Sequence, residues 1–139
     1  MKMKQKTPSI LIVDDDPHMF NLIKIYLSSD NYNLKSARNG KQAIRLLETE
    51  EFDVILSDIL MPEMNGITFA QEVRKHTESR ALIIMVTAHG IEDHFIKALA
   101  EGVYDIIQKP FTSNRLKLTL RNALDYKFLR DEHNHLKKK

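Results

Sequence analysis

The chain has 139 residues, of which 42% are hydrophobic and 29% charged, the balance of an ordinary folded domain with one core. It has no cysteine, which excludes disulfides and thiolate metal sites; no apolar run approaches the roughly 20 residues of a bilayer span, and the basic start MKMKQKTPS lacks a secretory apolar stretch, so a cytoplasmic protein is expected. Six lysines sit in the tails (2, 4, 6, 137, 138 and 139), so the body's formal charge is six below the chain's +2, at −4, and predicts neither a nucleic-acid nor a membrane surface.

In chain order, SILIV (9–13) is a short, β-branched apolar run, the pattern of a strand buried on both faces. Met19, Leu22, Ile23, Tyr26 and Leu27 then recur at the spacing of one helix face. Residues 32–37 read as a weaker edge strand, and Asn39-Gly-Lys-Gln42 as a capping box opening a helix through Ala43, Ile44 and Leu47. Val54–Ser57 is a second buried strand, followed by a short helix marked by Ile67, Ala70 and Val73. ALIIMVT (81–87) is a third apolar strand, and Ile91, Phe95, Ala98 and Leu99 mark a helix closed by Gly102. Asp105–Gln108 is the last strand, and from Ser113 onward the chain reads as one long helix.

Strands alternating with helices imply a parallel sheet covered on both faces, and such sheets bind ligands at the carboxyl ends of their strands. That rim collects Asp14-Asp15-Asp16, Ser57-Asp58, Thr87-Ala88 and Lys109-Pro110. Aspartate oxygens suit Mg²⁺, and a hydroxyl with an ammonium beside it suits a tetrahedral anion. Asp16 before Pro17 is better read as a helix N-cap. Asp14 and Asp15, taken with Asp58, are read as a metal site.

In this order and spacing, ILIVDDDP (10–17), VILSDILMPEMNG (54–66), MVTAHG (85–90) and GVYDIIQKPF (102–111) resemble the response-regulator receiver domains of two-component signalling. The resemblance implies a flavodoxin-like, doubly wound sheet of five parallel strands in the order 2-1-3-4-5, with five helices, the last extended. It implies that Asp58 accepts a phosphoryl group from a phosphohistidine of a sensor histidine kinase or phosphotransfer protein. Asp15 would ligate Mg²⁺ directly and Asp14 largely through water, with Asp58 and the Leu60 carbonyl as further ligands. Thr87 and Lys109 would contact the phosphoryl oxygens, and the Lys109–Pro110 bond would be cis. The chain would catalyse only its own phosphoryl transfer and dephosphorylation and switch a signalling output. One departure stands out: receivers of this kind carry Tyr or Phe three residues before the Lys-Pro, and here that residue is Ile106. Tyr104, two residues earlier, is expected on the same side of the strand.

Residues 1–7 are expected to be a basic tail, 8–125 the receiver domain and 126–139 a helical extension or linker. In that extension Tyr126, Leu129, His133 and Leu136 follow a short heptad spacing, which predicts a weak homodimer. Similar helices occur in receivers of the nitrogen-regulatory type, which precede an ATPase and a DNA-binding domain, so a receiver piece of a larger regulator is expected. The alternative is a haloacid-dehalogenase-type phosphatase, whose Asp-x-Asp would be Asp14 and Asp16. It should have Thr or Val in place of His18 and an acidic pair soon after the Lys, and both are absent. Among the four glycines neither nucleotide-binding glycine pattern occurs, and the six histidines, His89 on the rim included, show no ligand spacing.

Overall fold

The structure, a computed structural model, describes residues 7–88 and 102–137, with side chains through residue 134. The strands are β1 (Ser9–Val13), β2 (Asn33–Ala37), β3 (Val54–Asp58), β4 (Leu82–Thr87) and β5 (Asp105–Gln108). They pair throughout in parallel, in the order β2-β1-β3-β4-β5. The expected sheet is therefore the observed one. The helices among the described residues are α1 (Pro17–Tyr26), α2 (Gly40–Thr49), α3 (Gly66–His76) and α4 (Ser113–Lys137). The further helix expected around Ile91–Leu99 falls outside the described residues, as does His89; Gly102, expected to close it, has φ 81°, the left-handed region that glycine tolerates.

Two apolar clusters form because alternate strand residues point to opposite faces. Leu11, Val13, Ile55, Ile83 and Met85 pack with α2 and α3, while Ile10, Ile12, Leu56, Ile84 and Val86 pack with α1 and α4. β4 is buried at all six positions, as expected of a central parallel strand. β2 is one of the two edge strands, and only Ala37 of it is buried.

The helix starts follow the side chains that cap them. Asp16 accepts the His18 N–H at 2.9 Å and Pro17 opens α1, so Asp16 is the predicted cap. Asn39 accepts the Gln42 N–H at 2.8 Å, but Gln42 reaches back to the Arg38 N–H at 2.6 Å instead of that of Asn39, so the box closes one residue early. On α3 the largest buried side chain is Phe69, which is fully buried, whereas Ile67 is only partly so.

Helix α4 has 25 residues, about 38 Å at 1.5 Å per residue, so it runs past the sheet. Its domain-facing stripe is apolar through Leu116, Leu120 and Ala123, then continues at helical spacing as Lys127, Arg130 and Asp131. Lys127 lies 3.3 Å from Asp53 and 2.8 Å from Asp131, and Arg130 donates to the Arg80 carbonyl at 2.7 Å. Burial within the protein raises the Asp131 carboxyl, but the hydrogen bond and charge of Lys127 and the charge of Arg130 outweigh it and hold its pKa below the ordinary value. The extension is thus tied to the underside of the domain by polar contacts.

Candidate functional site

The register of the central strands builds the site. Val13 pairs with Ser57, so the residues that follow them, Asp14 and Asp58, emerge abreast at the rim. Lys109 follows Gln108, the register partner of Thr87, and its N–H donates to the Thr87 carbonyl at 2.7 Å. The Lys109–Pro110 peptide is cis, as expected.

The loop after Asp58 is closed tightly. Gly66 N–H donates to the Ile59 carbonyl at 2.7 Å, Asn65 caps α3 by accepting the Thr68 N–H at 2.9 Å, and Glu63 turns the chain with φ 68°. The Leu60 N–H donates to one Asp58 carboxylate oxygen at 3.2 Å, fixing that side chain at the strand end. The Leu60 side chain itself is exposed.

Carboxylate oxygens of Asp14, Asp15 and Asp58 all lie within 4.8 Å of one another. Lys109 Nζ lies 3.4 Å from Asp14 Oδ2 and 3.2 Å from Asp58 Oδ2. Asp14 is buried and also accepts the Asp16 N–H at 2.9 Å, while Asp15 is exposed. Asp16 stands apart from this trio, its carboxylate spent on capping α1. Thr87 is fully buried at the end of β4.

The electrostatics show a surplus of negative charge. Burial raises the Asp14 carboxyl above its ordinary value, and the Asp58 charge adds to that, against the lowering effects of the Asp16 N–H and Lys109. Burial lowers the Lys109 ammonium, but the two carboxylates more than offset it and raise it overall. One ammonium, paired with Asp14 and Asp58, beside three carboxylates leaves two formal negative charges over, the charge of one divalent cation. Hard oxygen donors at this separation fit Mg²⁺.

A group whose folded pKa is raised contributes stability below its ordinary value, and loses it as pH rises through the folded value. At neutral pH the Asp14 charge therefore destabilises the metal-free fold. Asp14→Asn is expected to raise the melting temperature without divalent cation and to shrink the further rise on adding Mg²⁺. Calorimetry with and without the cation checks both.

Tyr104 does not lie on the side of Ile106. Ile106 belongs to the cluster on the α2–α3 face, whereas Tyr104 packs on the α4 face, its ring 5.5 Å from that of Tyr126. The alternation of the strand starts only at Asp105; the Tyr104 N–H still bonds Ile83, but its side chain precedes the pleat. Of the heptad positions, Tyr126 is partly engaged by this contact, Leu129 and His133 are exposed, and the Leu136 side chain lies outside the described residues.

Comparison with known proteins agrees with this geometry. The family profile described as the response regulator receiver domain matches residues 10–121. The regulatory protein AtoC of Escherichia coli K12 is 35% identical over 127 residues, covering 91% of this chain and 27% of that protein. The transcriptional regulatory protein SrrA of Staphylococcus aureus NCTC 8325 / PS 47 is 36% identical over 115 residues, 83% of this chain and 47% of that one. The chain thus spans between about a quarter and a half of these relatives. Among solved structures, the signal receiver domain of an HD domain-containing protein from Pseudomonas fluorescens Pf-5 superposes with a TM-score of 0.87 at 28% identity, over 95% of this chain and 97% of that one. A response regulator receiver domain from Clostridium thermocellum superposes with a TM-score of 0.79 at 30% identity, over 88% and 98%. A dehalogenase-type phosphatase finds no support, since Asp16 is a helix cap. With its sheet order, its rim of carboxylates and its match over residues 10–121, the chain belongs to the response-regulator receiver domains of two-component signalling.

Proposed function

We propose that Asp58 is the phosphoacceptor of this receiver, taking a phosphoryl group from a phosphohistidine of a sensor histidine kinase or phosphotransfer protein. The observation that carries the reading is the position of the Asp58 carboxylate, 3.2 Å from Lys109 and within the Asp14–Asp15–Asp58 cluster. A carboxylate needs no base to act as a nucleophile. The phosphorus–nitrogen bond breaks as the phosphorus–oxygen bond to Asp58 forms, and the leaving imidazole keeps the electron pair. Such transfer requires little covalent help and much positioning and charge neutralisation. Lys109 supplies a fixed positive charge beside the acceptor, and the Thr87 hydroxyl, one residue beyond the register partner of Asp58, supplies a donor to the phosphoryl oxygens.

Asp14, Asp15 and Asp58, with the Leu60 carbonyl, would hold Mg²⁺. Bound there, the cation would screen the approach of an anionic donor and stabilise the charge that spreads over the phosphoryl oxygens. Asp15→Asn, which removes an exposed ligand without disturbing the core, tests this part. Labelling by acetyl phosphate is expected to need higher Mg²⁺ and to slow by about tenfold or more at limiting cation, with the melting curve unchanged. Labelling at the original rate and Mg²⁺ dependence would remove Asp15 from the site.

Residues 8–125 would be the receiver, 1–7 a basic tail and 126–139 a helical extension or linker. The chain would turn over no separate substrate and would contact neither nucleic acid nor membrane itself; among the described residues no helix is long and apolar enough to cross a membrane. Leu129 is 64% exposed on α4 and Phe128 57%, an apolar surface available to a second copy. The exposure of Leu129 and the heptad spacing of Tyr126, Leu129, His133 and Leu136 support a weak homodimer through this helix. Sedimentation is expected to show association that rises with concentration, and Leu129→Ser with Leu136→Ser to give a monomer still labelled by acetyl phosphate. A dimer indifferent to those changes would move the interface off α4.

A further inference from the structure

The sheet edge opposite Asp58 contains a groove of about 650 Å³ that the phosphoryl site does not use. It is lined by Arg74 at the end of α3, Arg80 before β4, Tyr104 before β5, and Tyr126 and Arg130 on the extension of α4. No acidic residue lines it. Three guanidiniums therefore converge in a body whose formal charge is negative, and beside a second groove rich in Glu48, Glu50, Glu51 and Glu78.

Arg74 is held in place by the backbone, whereas Arg80 and Arg130 share the Asp131 carboxylate, at 3.7 Å and 3.4 Å. Arg74 donates to the Ala81 carbonyl at 2.9 Å and to the Ser79 carbonyl at 3.4 Å. Burial and the like charge of Arg130 push its pKa down, and no carboxylate acts on it to restore it. Arg130 donates to the Arg80 carbonyl at 2.7 Å and reaches only Asp131, its chain neighbour, at 3.4 Å. A guanidinium has five N–H donors, so these bonds orient the forks and leave donors over. Facing them, the Tyr104 and Tyr126 rings lie 5.5 Å apart, and Tyr126 is half exposed.

We propose that this groove binds a phosphate-bearing ligand with a flat ring, a nucleotide, its phosphate on Arg74 and Arg130 and its base against Tyr126. Paired guanidiniums match phosphate oxygens bidentately, and an exposed aromatic face stacks a base. The phosphate contacts come from side chains, which is why no glycine-rich phosphate loop marks the site in the sequence. Arg130 and Tyr126 lie on the extension, whereas Arg74, Arg80 and Tyr104 lie on the domain. A ligand spanning them would fasten the departing helix to the domain.

Isothermal titration of the full chain at low salt with adenosine 5′-monophosphate, inorganic phosphate and adenosine tests the proposal. Saturable binding of the monophosphate is expected, with phosphate and adenosine each weaker by about tenfold or more. Arg130→Gln and Arg74→Gln should each weaken it roughly tenfold or more, since each removes a charge-assisted donor. These two residues sit on different elements, so a shared loss does not arise from fraying of α4. Tyr126→Ala should weaken the monophosphate and leave inorganic phosphate unchanged. Absence of saturable binding at millimolar monophosphate, equal binding of inorganic phosphate, or full binding by both arginine variants would each overturn it.

Discussion

Gly66→Ala is expected to destabilise the domain by about 3 kcal/mol or more, at or above the upper end of ordinary overpacking. A methyl group on Gly66 would stand 2.4 Å from the Asp58 carbonyl oxygen, 2.9 Å from Ile59 Cα and 3.0 Å from Met85 Sδ. Two of these neighbours are backbone of the strand end, so the clash is not relieved by rotating a side chain. The helix α3 must withdraw from β3, and the Gly66-to-Ile59 hydrogen bond that closes the loop must lengthen. A loss of that size is a large part of the roughly 5–15 kcal/mol that holds a domain together. Urea denaturation should show a lower midpoint at an unchanged slope. Because the displaced atoms adjoin Asp58, the folded fraction should also be labelled more slowly by acetyl phosphate. A midpoint within experimental scatter of the unmodified chain would mean that α3 is not seated as tightly as described.

Asp58→Asn is expected to abolish labelling altogether, because an amide is not a nucleophile toward phosphorus. The same change removes one of the carboxylates crowded around Lys109, which lies 3.2 Å from Asp58 and 3.4 Å from Asp14. Lys109 keeps its pairing with Asp14, so the variant should fold, and its melting temperature without Mg²⁺ should be no lower than that of the unmodified chain. Loss of label with an intact melting curve separates a missing nucleophile from a damaged fold. Intact mass and calorimetry on the same sample provide both readings.

The rim was legible in the sequence because four of the five strands announce their ends chemically. An apolar run that stops at Asp14, Asp58, Thr87 or Lys109 places those side chains at one edge once the strands are known to be parallel. The cap at Asp16 was legible for the same local reason, a short carboxylate before a proline. What was not legible depends on neighbours far along the chain. Phe69 fills the centre of the α3 contact, although periodicity pointed at Ile67, because a helix's buried side is set by where it lands on the sheet. Tyr104 was expected beside Ile106, but the pleat that would place it there starts one residue later. Lys127, Arg130 and Asp131 carry no apolar periodicity, and only their positions opposite Asp53 and Arg80 turn them into a tether.

The most direct measurement is the intact mass of the unmodified chain after incubation with acetyl phosphate and Mg²⁺, followed by peptide mapping of the modified residue. One added phosphoryl group is expected, dependent on the cation, released by hydroxylamine as an acyl phosphate must be, and located on Asp58. No mass gain, a gain resistant to hydroxylamine, or a label mapped to another residue would contradict the assignment of Asp58 as the acceptor.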